Sequence, residues 1–175
     1  MDITDIILEQ HAQQRRMFAL LDHLEPDNHE ALEAVWNRLC DFLEVHARAE
    51  ELYFYPELLK VGSGCGGQES AASETKDAIK DHNEIRSAIA EVANHRVGSK
   101  RWWSAVLEAR IANDDHMAEE EREDLPDFRR HADLQLRHSV AVKFLVFEAS
   151  HPNGIQAANP DPDRWVRGQS KHESS

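Results

Sequence analysis

The stretch HEALEAVWNRLCDFLEVHARAE, from His29 to Glu50, carries the pattern that decides the fold. On a seven-residue helical repeat, its apolar side chains fall on one face, which a helix of a bundle turns toward the core. The apolar members of this stripe are Leu32, Trp36, Leu39 and Leu43. His46 and Glu50, one turn apart, then interrupt the stripe. An imidazole and a carboxylate directed into a core predict a buried site with a chemical task.

The same interruption recurs in three other segments with a helical pattern. His11 lies in the apolar stripe of the first segment, His82 in that of the third, and His116 with Glu120 in that of the fourth. Counting about 1.5 Å of rise per residue from the predicted turns places the four histidines at one height. We therefore expect one cluster formed by His11, His46, Glu50, His82, His116 and Glu120.

The order of segments predicts an all-α fold, an up-down-up-down four-helix bundle with an additional C-terminal helix and an extended tail. Short connections between long helices favour antiparallel neighbours. The predicted helices run from the Asp2 to Asp5 region to Leu24, from the turn at 25–28 to Leu59, from Ser73 to Arg96, and from Ser99 to Asp124, where Leu125 and Pro126 follow. The loop VGSGCGG, Val61 to Gly67, separates the second helix from the third. The bundle spans residues 1–125, a helix within 126–150 packs on it, and 151–175 are predicted to be extended or disordered.

Composition limits the partners of the chain. Its 175 residues suit one domain, and a net charge of −13 argues against nucleic acid and against an anionic membrane surface. We find no signal peptide and no apolar run long enough for a membrane span, so a cytoplasmic location is expected. Cys40 and Cys65 suggest neither a disulfide framework nor a zinc site. A monomer or weak dimer is expected, and a small molecule is the expected ligand.

The predicted cluster calls for a metal. Burying so many polar groups without compensation would cost roughly several kcal/mol each, a cost that a shared cation removes. Four imidazoles and two carboxylates exceed one tetrahedral zinc site, while calcium and magnesium prefer oxygen donors. Mixed donors inside a bundle favour two iron ions bridged by the carboxylates and by an oxo or hydroxo group. One position on each iron is then left for a small molecule.

These residues resemble the hemerythrin family of HHE cation-binding domains. The resemblance rests on His11, HARAE (46–50), DHNEIR (81–86) and HMAEE (116–120), and it covers about residues 5–125. The glycine-rich loop, the Trp102–Trp103 pair and the segment EREDLPDFRRHADLQLRHS are similar to the mycobacterial-type hemerythrin-like proteins. The resemblance implies metal-ligand roles for the six clustered residues. For that subgroup, it implies catalase-like activity on hydrogen peroxide.

Two positions depart from this pattern or extend it. Oxygen-carrying hemerythrins have a second histidine four residues after the first on the third helix, where this chain has Arg86, which cannot ligate. Reversible oxygen carriage by the usual route is therefore not expected. Tyr53 lies one turn beyond Glu50 in the same row, so it is a candidate iron ligand or a residue of the open face. Alternatively, Tyr53 is a core aromatic residue with a hydrogen-bonded hydroxyl.

The sequence leaves several functions open. A ferritin-like di-iron site would need Glu-x-x-His pairs on two helices, and only Glu148 with His151 fits. The favoured activity is the one that the resemblance implies, a catalase-like disproportionation of hydrogen peroxide linked to oxidative stress. This reaction needs no external electron donor, which fits a sequence without a flavin, haem or iron–sulfur motif. The alternatives are a module that binds or senses oxygen, nitric oxide or iron without turnover, and a protein whose metal is only structural.

Overall fold

Long helices form the body of the protein. The computed structural model describes residues 1–64 and 70–172, and Cys65 with the centre of the predicted glycine-rich loop lies outside them. The first helices are α1 (Ile3–Asp22), α2 (His29–Ala49), α3 (Tyr55–Val61), α4 (Ala71–Val92) and α5 (Lys100–Arg122). They are followed by α6 (Asp124–His131), α7 (Leu134–Ser150) and α8 (Pro162–His172). The prediction of an all-α helical bundle is confirmed.

Side-chain caps set the starts of the four long helices. A side-chain oxygen accepts a backbone N–H near the start of each helix, which satisfies a donor that has no partner within the helix. The capping residues are Asp2, Asn28, Ser70 and Ser99. Helix α4 consequently begins directly after Ser70 rather than at Ser73, and it ends at Val92 rather than at Arg96.

The four long helices form a closed ring. Helix α1 packs on α2, α2 on α4, α4 on α5, and α5 on α1. Gly98 lies in the tight turn between α4 and α5 with φ +75°, a backbone conformation that other residues rarely adopt. A Cβ atom there would lie 2.8 Å from the carbonyl oxygen of Pro26. This close approach holds the turn against the connection between α1 and α2.

Two apolar clusters fill the core at opposite ends of the bundle. We call the first the Trp cluster; it contains Phe18, Leu21, Leu32, Trp36, Leu39, Leu43, Val92, Trp102, Ala105, Val106 and Ala109. We call the second the Phe cluster; it includes Ile3, Ile7, Phe54, Tyr55, Leu58, Ile79, Leu125, Phe128, Val140 and Phe144. Along each helix, the predicted metal ligands fall between residues of the two clusters. The polar layer is therefore sealed by hydrocarbon on both sides.

One π-helical turn, Glu50–Phe54, separates α2 from α3. Its closing hydrogen bond runs from the N–H of Tyr55 to the carbonyl oxygen of Glu50, five residues back. Pro56 contributes to this irregularity, because proline has no N–H for the regular helical hydrogen bond. The predicted second helix thus continues to Val61, but its register shifts by one residue after Glu50.

The C-terminal part departs from the prediction in two places. The expected helix within 126–150 is divided between α6 and α7, because Asp133 accepts the N–H of Leu136 and caps a new helix. Helix α7 packs on α1 and α2. The prediction of an extended or disordered tail is wrong for residues 162–172, which form α8 against α4. Asp161 caps α8 by accepting the N–H of Arg164, and Pro162 suits the first position of a helix.

Within residues 1–64 and 70–172, no helix combines the length and apolar character that crossing a bilayer requires.

Candidate metal centre

The four predicted core histidines converge between the two apolar clusters. His11, His46, His82 and His116 are buried, and the Nε2 atoms of His82 and His116 are 3.1 Å apart. The ring centroids of His11 and His46 are separated by 5.3 Å. The structure therefore brings the four histidines together at one level of the bundle.

The two predicted glutamates lie between pairs of these histidines. Glu50 places Oε1 3.0 Å from Nε2 of His46 and Oε2 3.3 Å from Nε2 of His82. Glu120 places Oε2 3.2 Å from Nε2 of His11 and 4.0 Å from Nε2 of His116. Each carboxylate therefore lies between a histidine one turn before it in the same helical segment and a histidine on a neighbouring helix. A ligand that bridges two metal ions needs such a position.

Unpaired atoms on the inner side show that this cluster fits a cation. Two groups of donors have their ligand atoms within 4.8 Å of one another, namely His11, His46 and Glu50, and Glu50, His82 and His116. Five inner atoms are buried without a hydrogen-bond partner: Nε2 of His11, Nε2 of His46, both carboxylate oxygens of Glu50, and Oε2 of Glu120. Each buried polar atom without a partner costs about 1–3 kcal/mol. Metal ions held by the two donor groups would satisfy the atoms of His11, His46 and Glu50, whereas Glu120 lies beside His11 and His116 but belongs to neither group.

On the outer side, each histidine ring has an oxygen atom near its Nδ1. The distances are 2.9 Å from His11 to Glu121, 2.6 Å from His46 to Gln10, 3.2 Å from His82 to Glu51 and 3.8 Å from His116 to Asp81. Because a carboxylate oxygen only accepts, Nδ1 of His11 and of His82 carries the proton in these hydrogen bonds. In a neutral ring, Nε2 then keeps its lone pair for a metal. Partners of this kind orient histidine ligands in metal sites.

These outer partners follow a rule that sequence reasoning missed. Each partner is adjacent in sequence to a predicted ligand. Its oxygen atom lies near the Nδ1 atom of a histidine on the next helix around the ring. Gln10 precedes His11, Glu51 follows Glu50, Asp81 precedes His82, and Glu121 follows Glu120. Successive helical residues point about 100° apart, so the neighbour of an inward residue faces the adjacent helix. In the sequence, each predicted ligand of this kind stands next to a second polar residue. These adjacent pairs are the signal that could have identified the outer partners.

Arg86 lies in the outer support of the site. Its Nη2 donates to Oε1 of Glu51 at 2.8 Å, and its Nε donates to Oε2 of Glu44 at 2.8 Å. Arg48 donates to the other oxygen of Glu51 at 3.0 Å. Glu51 therefore holds His82 while being fixed by two guanidinium groups. The side chain at position 86 supports a ligand indirectly, through Glu51.

The charges in this layer shift several pKa values. Burial opposes the charged form of His11 and of His82, but the neighbouring glutamates raise the pKa of each to about 9. Burial also opposes ionisation of Glu51, but His82 and Arg86 lower its pKa to about 2. The pKa of Glu50 lies well below its usual range, because the adjacent His46 and His82 outweigh the effect of burial. Since imidazole binds metal in its neutral form, an incoming cation displaces protons here.

The tyrosine beside the cluster is Tyr55, and the prediction of Tyr53 at this place is wrong. The hydroxyl of Tyr55 donates to Oε1 of Glu120 at 3.1 Å, and its ring lies 5.8 Å from that of His82. The half-buried Tyr53 instead packs its ring against Phe147. The π-helical turn causes the exchange, because it adds one residue to the turn that follows Glu50. Pro56 was the sequence signal of this irregularity.

Two small clefts reach the histidines from different sides. The apolar cleft, of about 10 Å³, is lined by Leu43, Ala47, Ile85 and Ile89 and also by Glu44, Arg86 and Asn113, and it reaches His46, His82 and His116. The acidic cleft, of about 30 Å³, lies between α4 and α5 and is lined by Glu74, Asp77, Asp81, Glu119, Glu123 and Asp124, with His116 and Glu120. Burial raises the pKa of Asp124 well above its usual range, and the charges of Glu120 and Glu74 raise it further.

The fold and the donor set together define a helical-bundle cation-binding protein. Residues 2–128 match the family model described as the hemerythrin HHE cation binding domain, and the chain therefore belongs to the hemerythrin family. This family binds iron, and the two donor groups of the cluster are able to hold metal ions. Comparisons with curated proteins and with solved structures found no match.

Proposed function

We propose that the chain is a non-haem di-iron protein that decomposes hydrogen peroxide, in the manner of the mycobacterial-type hemerythrin-like proteins. His11, His46, Glu50, His82, His116 and Glu120 would hold the two ions, and Glu50 and Glu120 would bridge them together with an oxo or hydroxo group. Between them, the six side chains leave positions on the ions open.

The apolar cleft is the observation that carries this proposal. Its volume of about 10 Å³ compares with the 10–15 Å³ or so that holds one water molecule. Organic substrates are therefore excluded, whereas a molecule of two heavy atoms needs only a small outward movement of the lining side chains. Leu43, Ile85 and Ile89 favour a neutral molecule over an ion. Hydrogen peroxide has the size and the charge that this cleft selects.

The reaction is balanced without another reactant. Two molecules of hydrogen peroxide become two molecules of water and one of oxygen, so electrons pass only between peroxide molecules. The iron pair would supply the reversible two-electron chemistry that this exchange needs.

The side chains of the protein orient the proposed ligands, hold a proton on Tyr55 and limit the entry of water. Glu121, Gln10, Glu51 and Asp81 orient the four imidazoles from outside. Burial holds the pKa of Tyr55 well above its usual range, and the charge of Glu120 adds to this, so its Oη keeps the proton that it donates to Glu120. The two apolar clusters limit the entry of water from either end of the bundle.

Oxygen release from peroxide tests the proposal directly. Iron-loaded protein should release one oxygen molecule per two peroxide molecules consumed, measured with an oxygen electrode beside the same concentration of free iron. The His82→Ala variant should lose this activity together with its iron, while His95→Ala, a histidine that pairs with Glu91 outside the cluster, should keep both. Release no faster than that of free iron would overturn the proposal.

The apolar cleft also suits a second function, the binding or sensing of oxygen or nitric oxide. Both gases are neutral diatomic molecules that fit the same small volume. A reversible spectral change with either gas, combined with no turnover of peroxide, would favour this alternative.

A further inference from the structure

A second route to the cluster has the opposite character. The acidic cleft between α4 and α5 gathers six carboxylate side chains around its walls, namely Glu74, Asp77, Asp81, Glu119, Glu123 and Asp124. Arg122 pairs with Glu123 at 2.8 Å on the exposed side, and no lysine or arginine is among the described residues that line the cleft. The negative charge of the walls therefore greatly exceeds the positive charge nearby. A neutral substrate gains nothing from such walls, whereas a cation is attracted to them.

Asp124 gives an independent sign of a ligand. Asp124 is 4% exposed, and no hydrogen bond or ion pair joins its carboxyl group to the side chains described in residues 1–64 and 70–169. Removing a carboxylate from water without a partner is costly, and buried carboxylates normally pair with a donor or bind a metal. This side chain nevertheless lines the cleft. A transient cation would supply a partner that the described side chains do not.

The bottom of the acidic cleft is the metal centre itself. His116 and Glu120 belong both to the cleft and to the predicted ligand set, and Oε2 of Glu120 has no hydrogen-bond partner. The volume of about 30 Å³ compares with the 10–15 Å³ or so that holds one water molecule, so the cleft has room for a small ion that keeps part of its hydration shell. The lining residues thus extend from the exposed Asp77 and Glu119 to the buried Glu120 and His116.

We propose that the acidic cleft is the loading site through which ferrous iron enters the metal centre. Its carboxylates would raise the local concentration of the divalent ion, replace part of its hydration shell and pass it to Glu120 and His116. The proposal rests on the iron binding of this family and not on peroxide chemistry, so either proposal can fail without the other.

The rate of iron uptake tests the loading site. A triple variant, Asp77→Asn, Glu119→Gln and Asp124→Asn, removes cleft charges and changes none of the predicted ligands. Apoprotein would be mixed anaerobically with ferrous iron and quenched at intervals with a ferrous chelator, and the iron retained on the protein measured. We expect the uptake rate to fall about tenfold, within the range of roughly 10- to 1,000-fold known for electrostatic steering, while the final iron content stays that of the unmodified protein.

A matched control separates the cleft from net charge. The triple variant Glu33→Gln, Glu108→Gln and Asp115→Asn removes the same charge from exposed positions that do not line the cleft. It should load at nearly the rate of the unmodified protein. Added salt should slow the unmodified protein and this control but have little effect on the cleft variant. Equal uptake rates in the two triple variants would overturn the proposal.

If the triple cleft variant binds less iron at equilibrium, its slower uptake has a second explanation. A single substitution then tests the loading site separately. Glu119 is exposed at the rim, so Glu119→Gln leaves the buried part of the cleft intact. Slower uptake than in Glu108→Gln, with a normal final iron content, supports the loading site. Identical rates in these two single variants count against it.

Discussion

The Trp cluster and the metal centre are neighbouring layers of one bundle, but their buried atoms differ in whether the protein itself supplies their contacts. In the Trp cluster, Phe18, Trp36 and Trp102 meet edge to face, with ring centroids 6.0–6.4 Å apart. In the metal centre, inner atoms of His11, His46, Glu50 and Glu120 are buried without partners. One layer is therefore complete in the polypeptide alone, whereas the other is completed by an ion. Stability measured with and without iron should separate the two layers.

The largest expected effect is in the Trp cluster. Trp102→Ala removes a side chain that is 1% exposed, and such truncations cost about 3–5 kcal/mol because a cavity remains. Since no metal ligand is changed, the loss should be equal in apoprotein and in iron-loaded protein. Urea denaturation of both forms would measure it. Trp103→Ala, at the partly buried neighbouring position, is the control and should cost less. A loss confined to the iron-loaded form would contradict the separation of the layers.

Arg86→Met tests the outer support of the metal centre. It leaves Glu44 and Glu51 without their shared guanidinium group, and loss of one partner from a buried ion pair costs about 3 kcal/mol or more. The matched control is Arg48→Met, which removes a partly exposed partner of the same Glu51 and should cost about 1 kcal/mol or less. Iron affinity should also fall more in Arg86→Met, because Glu51 positions His82. Equal effects of the two variants would show that position 86 has no special role.

His46→Ala should abolish the difference between the two forms. A ligand that binds only the folded state stabilises it by about 2.7 kcal/mol at a free concentration of 100 times Kd, and this variant removes a predicted ligand from the site. Thermal denaturation with and without ferrous iron, under anaerobic conditions, would show the change. His29→Ala, at an exposed position near the start of α2, should keep the full difference. A His46→Ala variant that is still stabilised by iron would remove His46 from the ligand set.

The sequence predicted the apolar core and the cluster of histidines and glutamates, but not the outer residues that hold the histidines. Apolar residues at helical spacing predicted the cores, and the histidines and glutamates that interrupt the stripes predicted the convergence at one height. The outer partners were missed because Gln10, Glu51, Asp81 and Glu121 lie off the inward face, where polar residues are normally solvated. Their role depends on which helix is the neighbour, and periodicity within one helix does not contain that information.

The position of the tyrosine was missed for a different reason. A seven-residue repeat assumes constant helical geometry, and it placed Tyr53 one turn after Glu50. A single π-helical turn moves the next inward position to Tyr55. Pro56 shows where regular hydrogen bonding fails, but the repeat alone cannot show how the chain adjusts. The regular repeat therefore selected Tyr53, two residues before the tyrosine that lies beside the cluster.

The smallest expected effect comes from this exchange. Tyr55→Phe removes the hydrogen bond to Glu120, worth about 1 kcal/mol or somewhat more with a charged acceptor, whereas Tyr53→Phe removes a hydroxyl from a ring that packs on Phe147. Visible spectra of the iron-loaded variants and their denaturation curves would be compared. Only Tyr55→Phe should alter both, because the Tyr55 hydroxyl donates to Glu120, a proposed metal ligand, whereas Tyr53 packs on Phe147. If Tyr53→Phe alone changed the visible spectrum, the register after Glu50 would be that of an uninterrupted α-helix, and the π-helical turn would not be present in the iron-loaded protein.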